Sequence, residues 1–365
     1  MCSLIHKVRN IFVRGSLRIH AANYNHASSR TLARMLSDPE NKGERQEHIN
    51  FDILGTWDNR IDLPILMQQS IKLGKPIPQI SIKNVGVASV TGRRLTNEDR
   101  LCIKELQPNL LYFAVFDGHG GTTCADFCSQ HMEQHILHWL SRNSMDLESV
   151  LQKAFIEVNN AFARNVIFMC SKEEAAVSGT TATICLLRNS IELVVGHVGD
   201  SRALLCRNGD VQKLTVDHHG TLKSEKERIV KSGGFIKTDS VGRHLVNGRL
   251  AMTRSLGDMD LKPYGVTALP DTRSIQIKHG KDAFVILTTD GINFVMNDDE
   301  IINAVNSCHY PQEAASFIAD QAMQFASEDN ATALVLPFGA WGKYKNGGNI
   351  TMYNFGRNLS RSSRF

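Results

Sequence analysis

Five times in this chain an acidic residue stands where an apolar run begins or ends. Tyr112-Phe113-Ala114-Val115-Phe116 stops on Asp117-Gly118, the run 193–198 stops on Gly199-Asp200, and the run 284–287 leads to Asp290-Gly291. Asp329-Asn330 precedes Ala333-Leu334-Val335-Leu336, and Glu98-Asp99 precedes Leu101-Cys102-Ile103. Short apolar runs bounded in this way read as buried strands, which places the acids at strand ends. If the strands share one sheet system, the acids can meet at one edge. Two carboxylates roughly 5 Å apart repel by about 3 kcal/mol at an effective dielectric of about 20. Four or five gathered together therefore require cations, and an all-oxygen set selects hard ones, Mg2+ or Mn2+.

The elements that must position these acids alternate between two periods. Residues 80–89, 101–103, 111–116, 181–187, 191–198, 203–206, 284–289 and 333–337 read as strands. Arg188-Asn189-Ser190 and Asn208-Gly209 supply hairpin chemistry, so the sheets are predicted to be largely antiparallel. Helical spacing covers 122–139, 147–167, 224–232, 298–305 and 311–325, with Thr122 and Asp298 as candidate N-caps and Gly233-Gly234 as a left-handed stop. Antiparallel strands with two amphipathic helix pairs predict an α+β fold, a β-sandwich with helices on each outer face.

Composition narrows the function. The 365 residues are 42% hydrophobic with 9 prolines, enough for one large core. No apolar run is long enough for a membrane span. The net charge of +4 is concentrated at the start: residues 1–37 hold Lys7, Arg9, Arg14, Arg18, Arg30 and Arg34 and no acid, and without them the balance is −2. The remainder shows no basic face for nucleic acid. The leading segment is Arg-rich, contains several serines, and spaces Ile5, Val8, Ile11 and Phe12 along one helical face, as a mitochondrial transit peptide does. A basic arm is the alternative reading. The eight cysteines form no Cys-x-x-Cys pair and read as reduced thiols. His131 and His135 lack the adjacent glutamate of a zinc-protease helix, because the acid here is Glu133.

A resemblance now becomes specific. Arg94-x-x-x-Glu98-Asp99, Phe113-Ala114-Val115-Phe116-Asp117-Gly118-His119-Gly120-Gly121, Ser178-Gly179-Thr180-Thr181-Ala182, Val198-Gly199-Asp200-Ser201-Arg202, Leu250 to Asp258, Thr289-Asp290-Gly291 and Glu328-Asp329-Asn330 follow the order and approximate spacing of the metal-dependent protein phosphatases of the 2C type. The resemblance covers roughly 84–337 and implies a four-layer αββα sandwich. The flanks, 55–62, 75–78 and 338–345, resemble those of the mitochondrial members that dephosphorylate the branched-chain α-ketoacid dehydrogenase. The resulting division is a transit peptide at 1–37, an N-terminal flank at 38–83, a catalytic domain at 84–340 and a basic tail at 341–365. The implied location is the mitochondrial matrix.

Roles follow from the resemblance residue by residue. It implies two Mg2+ or Mn2+ ions, with Asp117 bridging both, Glu98 and the Gly118 carbonyl completing one site, and Asp290 and Asp329 completing the other. Asp99, counted with the metal set, is expected to orient the water. Arg94 is expected to bind phosphate, and His119 to protonate the departing oxygen or else to support Asp117 structurally. Asp200 is left between a further, weaker metal site and a turn-stabilising role. The implied reaction is hydrolysis of phosphoserine or phosphothreonine in a protein by a metal-bridging water. Two departures stand out: Phe294 replaces an aspartate four residues after Asp290, and Asp217-His218-His219-Gly220 lacks the family's proline. They motivate an alternative, a catalytically weak phosphoprotein-binding pseudophosphatase.

Overall fold

The computed structural model describes residues 77–142, 146–168 and 172–345. The presequence reading and residues 346–365 lie outside them. A 3-10 turn at Ile82–Asn84 leads into β1 (Gly86–Val90). Strands β2 (Arg100–Gln107), β3 (Leu110–Phe116) and β4 (Gly118–His119) precede helices α1 (Thr123–Leu140), α2 (Leu147–Phe168) and α3 (Lys172–Val177). Strands β5 (Gly179–Thr180), β6 (Ala182–Arg188), β7 (Glu192–Val198), β8 (Arg202–Arg207) and β9 (Asp210–Lys213) follow. Helix α4 (Lys223–Lys231), the hairpin β10 (Ile236–Thr238) and β11 (His244–Val246), and β12 (Leu256–Gly257) form an excursion near the site. The chain closes with β13 (Asp271–Gln276), β14 (Asp282–Thr288), α5 (Asp290–Asn293), α6 (Asp298–Ser307), α7 (Pro311–Gln324) and β15 (Ala331–Pro337).

Two five-stranded sheets result, ordered β1-β15-β14-β8-β9 and β13-β7-β6-β3-β2, with antiparallel pairing throughout both. The central strands are buried on both faces, which is why they read as unbroken apolar runs rather than alternating ones. Along β3, Leu110, Tyr112, Ala114 and Phe116 pack with Met132 and Ile136 of α1 and Leu151 and Phe155 of α2. The intervening Leu111, Phe113 and Val115 face Leu205, Val285, Leu287 and Leu334 of the other sheet. On the far side, Phe284 and Ile286 pack with Ile301 and Ile302 of α6 and Ile318 of α7. These three apolar layers are the αββα sandwich.

The structure adjusts several sequence expectations. The strand expected over 80–89 begins only at Gly86, because Ser81 Oγ accepts from Lys83 N and closes a turn first. Asn297, not Asp298, caps α6: its side chain accepts from Glu300 N at 2.9 Å while Glu300 accepts from Asn297 N at 2.8 Å. Asp298 is instead bound by Arg202 and Lys213. Thr122 occupies the N-cap of α1 without a side-chain cap bond. Strands β9 and β13 add to the expected set, since as polar, half-exposed edge strands they lack an apolar run. The expected turns do form, with left-handed φ at Asn189, Asn208, Gly209 and Gly233.

Trp341, read from the sequence as the first residue of a basic tail, packs into the core. Trp341 is 4% exposed, meets the Phe284 ring edge-on at 5.7 Å, and donates from Nε1 to the His309 carbonyl at 3.0 Å. Trp341→Ala is expected to lower the unfolding free energy by about 3–5 kcal/mol, read as a shift of the urea midpoint.

Candidate active site

The acids converge because neighbouring backbones come unusually close. Asp117 follows β3, where its amide donates to Thr181 Oγ1 at 3.2 Å and its carbonyl accepts from Thr181 N at 2.8 Å and Thr180 Oγ1 at 3.0 Å. A side chain at Gly118 would meet the Glu98 carbonyl at 2.5 Å, and one at Gly291 the Asn330 carbonyl at 2.0 Å. Glycine beside each aspartate therefore lets the acid-bearing loops close on one another. Asp290, the first residue of α5, donates its amide to Asp117 Oδ2 at 3.3 Å.

The remaining acids are held by polar partners. Glu98 donates its amide to Asn330 Oδ1 at 2.8 Å and accepts at Oε2 from Gly121 N at 3.2 Å. Asp99 is 4% exposed and accepts at Oδ2 from Thr332 Oγ1 at 2.6 Å and Thr289 Oγ1 at 3.1 Å, leaving Oδ1 buried and unpartnered. Asp329 accepts from Arg94 Nη2 at 2.6 Å. Asp200 is also 4% exposed, with a buried, unpartnered Oδ1, and its carbonyl accepts from Asn293 Nδ2 at 3.3 Å.

Electrostatics report the crowding. Burial, followed by Asp290, Asp99 and Asp200, pushes the Asp117 carboxyl well above the usual range. Burial, followed by Asp200, Asp329 and Asp99, does the same to Asp290. Asp99 is pushed up to about 6, chiefly by burial, against the lowering effect of its threonine bonds. Among the described residues, no three acidic, histidine or cysteine side chains are already closed around a single point as metal ligands. The chemistry of the set nevertheless fits a hard divalent cation: the donors are oxygens, two are buried without partners, and their mutual repulsion has the sign that a cation relieves.

His119 turns away from Asp117 toward an acid to which the sequence assigns no role. Its Nε2 lies 3.0 and 2.9 Å from the two carboxylate oxygens of Asp258, which is 3% exposed and also accepts from Ser255 Oγ at 2.5 Å. His119 Nδ1 is buried without a partner. Burial opposes the imidazolium, but Asp258 outweighs it and holds His119 above its ordinary value. Strands β4 and β5, with Gly118 opposite Thr180, and β5 with β12 form the small ladder that brings His119 to Asp258. Asn330 likewise gains a role only in the folded chain: its Nδ2 donates to the Thr91 and Thr96 carbonyls at 2.8 and 3.0 Å, splinting the loop that carries Arg94. The Gly257-Asp258 and Asp329-Asn330 dipeptides are visible in the sequence, but nothing local indicates their partners.

Arg202, from the same motif as Asp200, belongs to a separate ion-pair group with Asp217 and Asp298. Phe294 is 54% exposed just beyond α5. Gly220 lies against Ile236, in a turn tied by His218 N to the Gly199 carbonyl at 2.8 Å.

A family model described as Protein phosphatase 2C matches residues 83–331. The chain belongs to the protein phosphatase 2C family. It is 51% identical over 315 residues to "Protein phosphatase 1K, mitochondrial" of Xenopus laevis, covering 86% of this chain and 83% of that protein. It is 34% identical over 240 residues to "Probable protein phosphatase 2C 28" of Arabidopsis thaliana, covering 64% and 66%. The crystal structure of a serine-threonine phosphatase 2C from Toxoplasma gondii matches with a TM-score of 0.62 at 21% identity, covering 70% of this chain and 94% of that one, a likeness of fold. The protein is thus a phosphatase with the 2C fold, and dependence on Mg2+ or Mn2+ is general in this family.

The crowding is testable without substrate. An acid whose pKa is raised on folding destabilises the protein increasingly as pH climbs from its unfolded value of about 4 toward its folded value, and fully above that. In chelator-treated protein, Asp99→Asn should therefore raise the urea-unfolding free energy by about 1–3 kcal/mol near pH ~8 and change it little near pH ~4. Asparagine can still accept both threonine bonds.

Proposed function

We propose that this phosphatase hydrolyses phosphoserine and phosphothreonine in a mitochondrial matrix protein, the branched-chain α-ketoacid dehydrogenase complex, using two divalent ions. The observation that carries the chemistry is the convergence of Glu98, Asp99, Asp117, Asp290 and Asp329 from separate loops, with Arg94 and His119 at their border. Asp117, Glu98 and the Gly118 carbonyl would hold one ion, and Asp117, Asp290 and Asp329 the other. When bound, such ions lower the pKa of water and offset charge on the phosphoryl oxygens.

The chain's own groups supply the rest. Arg94 offers a planar fork to two phosphate oxygens. Asp99, with one oxygen fixed by two threonines and the other free, orients the water. His119 gives a proton to the departing serine or threonine oxygen, which would otherwise leave as a poor alkoxide. Asp258 is a positioning residue: its carboxylate fixes the imidazole and favours the protonated form. Asp200 is close enough to raise the charge of the cluster and suits a further, weaker ion. Phe294 cannot supply an oxygen ligand there, so that ion would depend on Asp200 and solvent.

The address and the substrate rest on other grounds. The acid-free, Arg-rich start of the chain and the mitochondrial relative support the location. The flanking segments, including Phe338 to Lys345, support the dehydrogenase as target. The pseudophosphatase alternative draws no support from the acid set, since each expected carboxylate is present.

The deciding assay follows phosphate release from a phosphoserine peptide that carries the dehydrogenase's phosphorylation site. Turnover should require Mn2+ or Mg2+, stop with chelator, and fall at least about a hundredfold in Asp117→Ala and Asp290→Ala. Metal-independent release, or binding without release by folded protein, would overturn the reading. Asp258→Asn should lower kcat about ten- to a hundredfold with little change in KM. Because a general acid works only while protonated and loss of the Asp258 charge lowers the His119 pKa, the alkaline limb of the kcat profile should move to lower pH.

A further inference from the structure

Arg94, assigned above to phosphate, is bound here to one of the acids assigned to an ion, Asp329. Arg94 Nη2 donates to Asp329 Oδ2 at 2.6 Å, with the side chains 60% and 34% exposed. The other Asp329 oxygen, Oδ1, accepts from Asn330 N at 2.8 Å. The arginine thus holds the oxygen that the Asn330 amide does not, where it competes with an ion. The contact is not the chance resting place of a long side chain. Asn330 holds the Thr91 and Thr96 carbonyls on either side of Arg94, and the Glu98 amide donates to Asn330 Oδ1 at 2.8 Å, so the whole loop is pinned to the Asp329-Asn330 turn. Asp290 and Glu98 also act on Arg94 electrostatically. Adjacent Arg93 differs: it pairs with Glu328 at 3.5 Å, and both side chains are largely exposed.

We propose that Arg94 is the resident counter-cation of Asp329, that a divalent ion displaces it, and that this displacement frees its guanidinium for the phosphate. Ion loading then precedes phosphate recognition and enables it. The inference rests on the metal-centre reading above and adds an order of events to it. A half-exposed ion pair is weak and salt-screened, whereas a divalent ion at Asp329 also gains Asp117 and Asp290. The exchange of cations therefore runs toward the ion. Once displaced, the arginine recovers the Nη2 donor that a two-pronged grip on phosphate needs.

The experiment measures ion binding in the absence of substrate. Isothermal titration of the chelator-stripped full chain with Mn2+ is compared among wild type, Arg94→Gln, Arg94→Lys and Arg93→Gln, with folding checked by circular dichroism. Arg94→Gln should bind Mn2+ about two- to fivefold more tightly, a gain corresponding to one exposed ion pair. Arg94→Lys should fall between it and wild type, and Arg93→Gln should match wild type. Equilibrium dialysis with trace radiolabelled inorganic phosphate should show wild-type binding only when Mn2+ is present, and loss of that binding in Arg94→Gln.

Unchanged or weaker Mn2+ binding in folded Arg94→Gln would reduce Arg94 to a phosphate ligand or a structural residue and overturn the proposal. Equal phosphate binding by wild type with and without Mn2+ would overturn the order of events. Absence of Mn2+ binding by wild type would remove the metal centre itself, and the coupling with it. That failure is distinguishable from one confined to the Arg94 variants.

Discussion

Concentrating carboxylates in a buried corner is unfavourable, and much of the local structure answers to that constraint. Asp99, Asp117 and Asp290 are each driven toward the protonated form by burial first, with neighbouring carboxylates adding to it: Asp329 for Asp99, Asp290 for Asp117 and Asp200 for Asp290. A fold can tolerate this only if the supporting scaffold is rigid enough to hold the acids against their repulsion. Here it is built from backbone groups and short polar side chains rather than from long side chains. Asp117 is clamped by Thr180 and Thr181, Glu98 by Asn330, and Asp99 by Thr289 and Thr332.

The double sandwich provides that rigidity. Both sheets bury their central strands on two faces, so a shift of one strand by one residue would exchange its inner and outer side chains. Register is thereby enforced along β3, β6, β14 and β15, and the acids at the strand ends inherit it. Glycine at 118 and 291 removes the side chains that would hold the loops apart. A rigid frame with a strained polar edge is a usual division of labour, because function needs the unfavourable grouping and the core supplies the stability to maintain it.

Two basic side chains border the cluster, and they are held differently. Arg94 is partly exposed and bound through one carboxylate oxygen, a contact that can be exchanged. His119 is fixed to both oxygens of a nearly fully buried aspartate, which in turn is bound by Ser255. An exposed contact at the first and a buried one at the second suit the roles proposed for them, a change of partner at Arg94 and proton transfer at His119.

The acids, the glycines beside them and the apolar runs that present them were legible in the sequence, because residue type, period and turn chemistry are local properties. So were the antiparallel character of the sheets and the helix pairs. Strands β9 and β13 were hidden by their polar edges, the cap of α6 by one residue, and the burial of Trp341 by a basic neighbourhood that looked like a tail. Tertiary structure alone decided that Asp258 belongs to His119, that Asn330 splints the loop around Arg94, and that Arg94 reaches Asp329. Those partners are separated by 139, 234 to 239 and 235 residues. Local order along the chain carries no information about such distances, whereas the packing of two sheets against each other sets them.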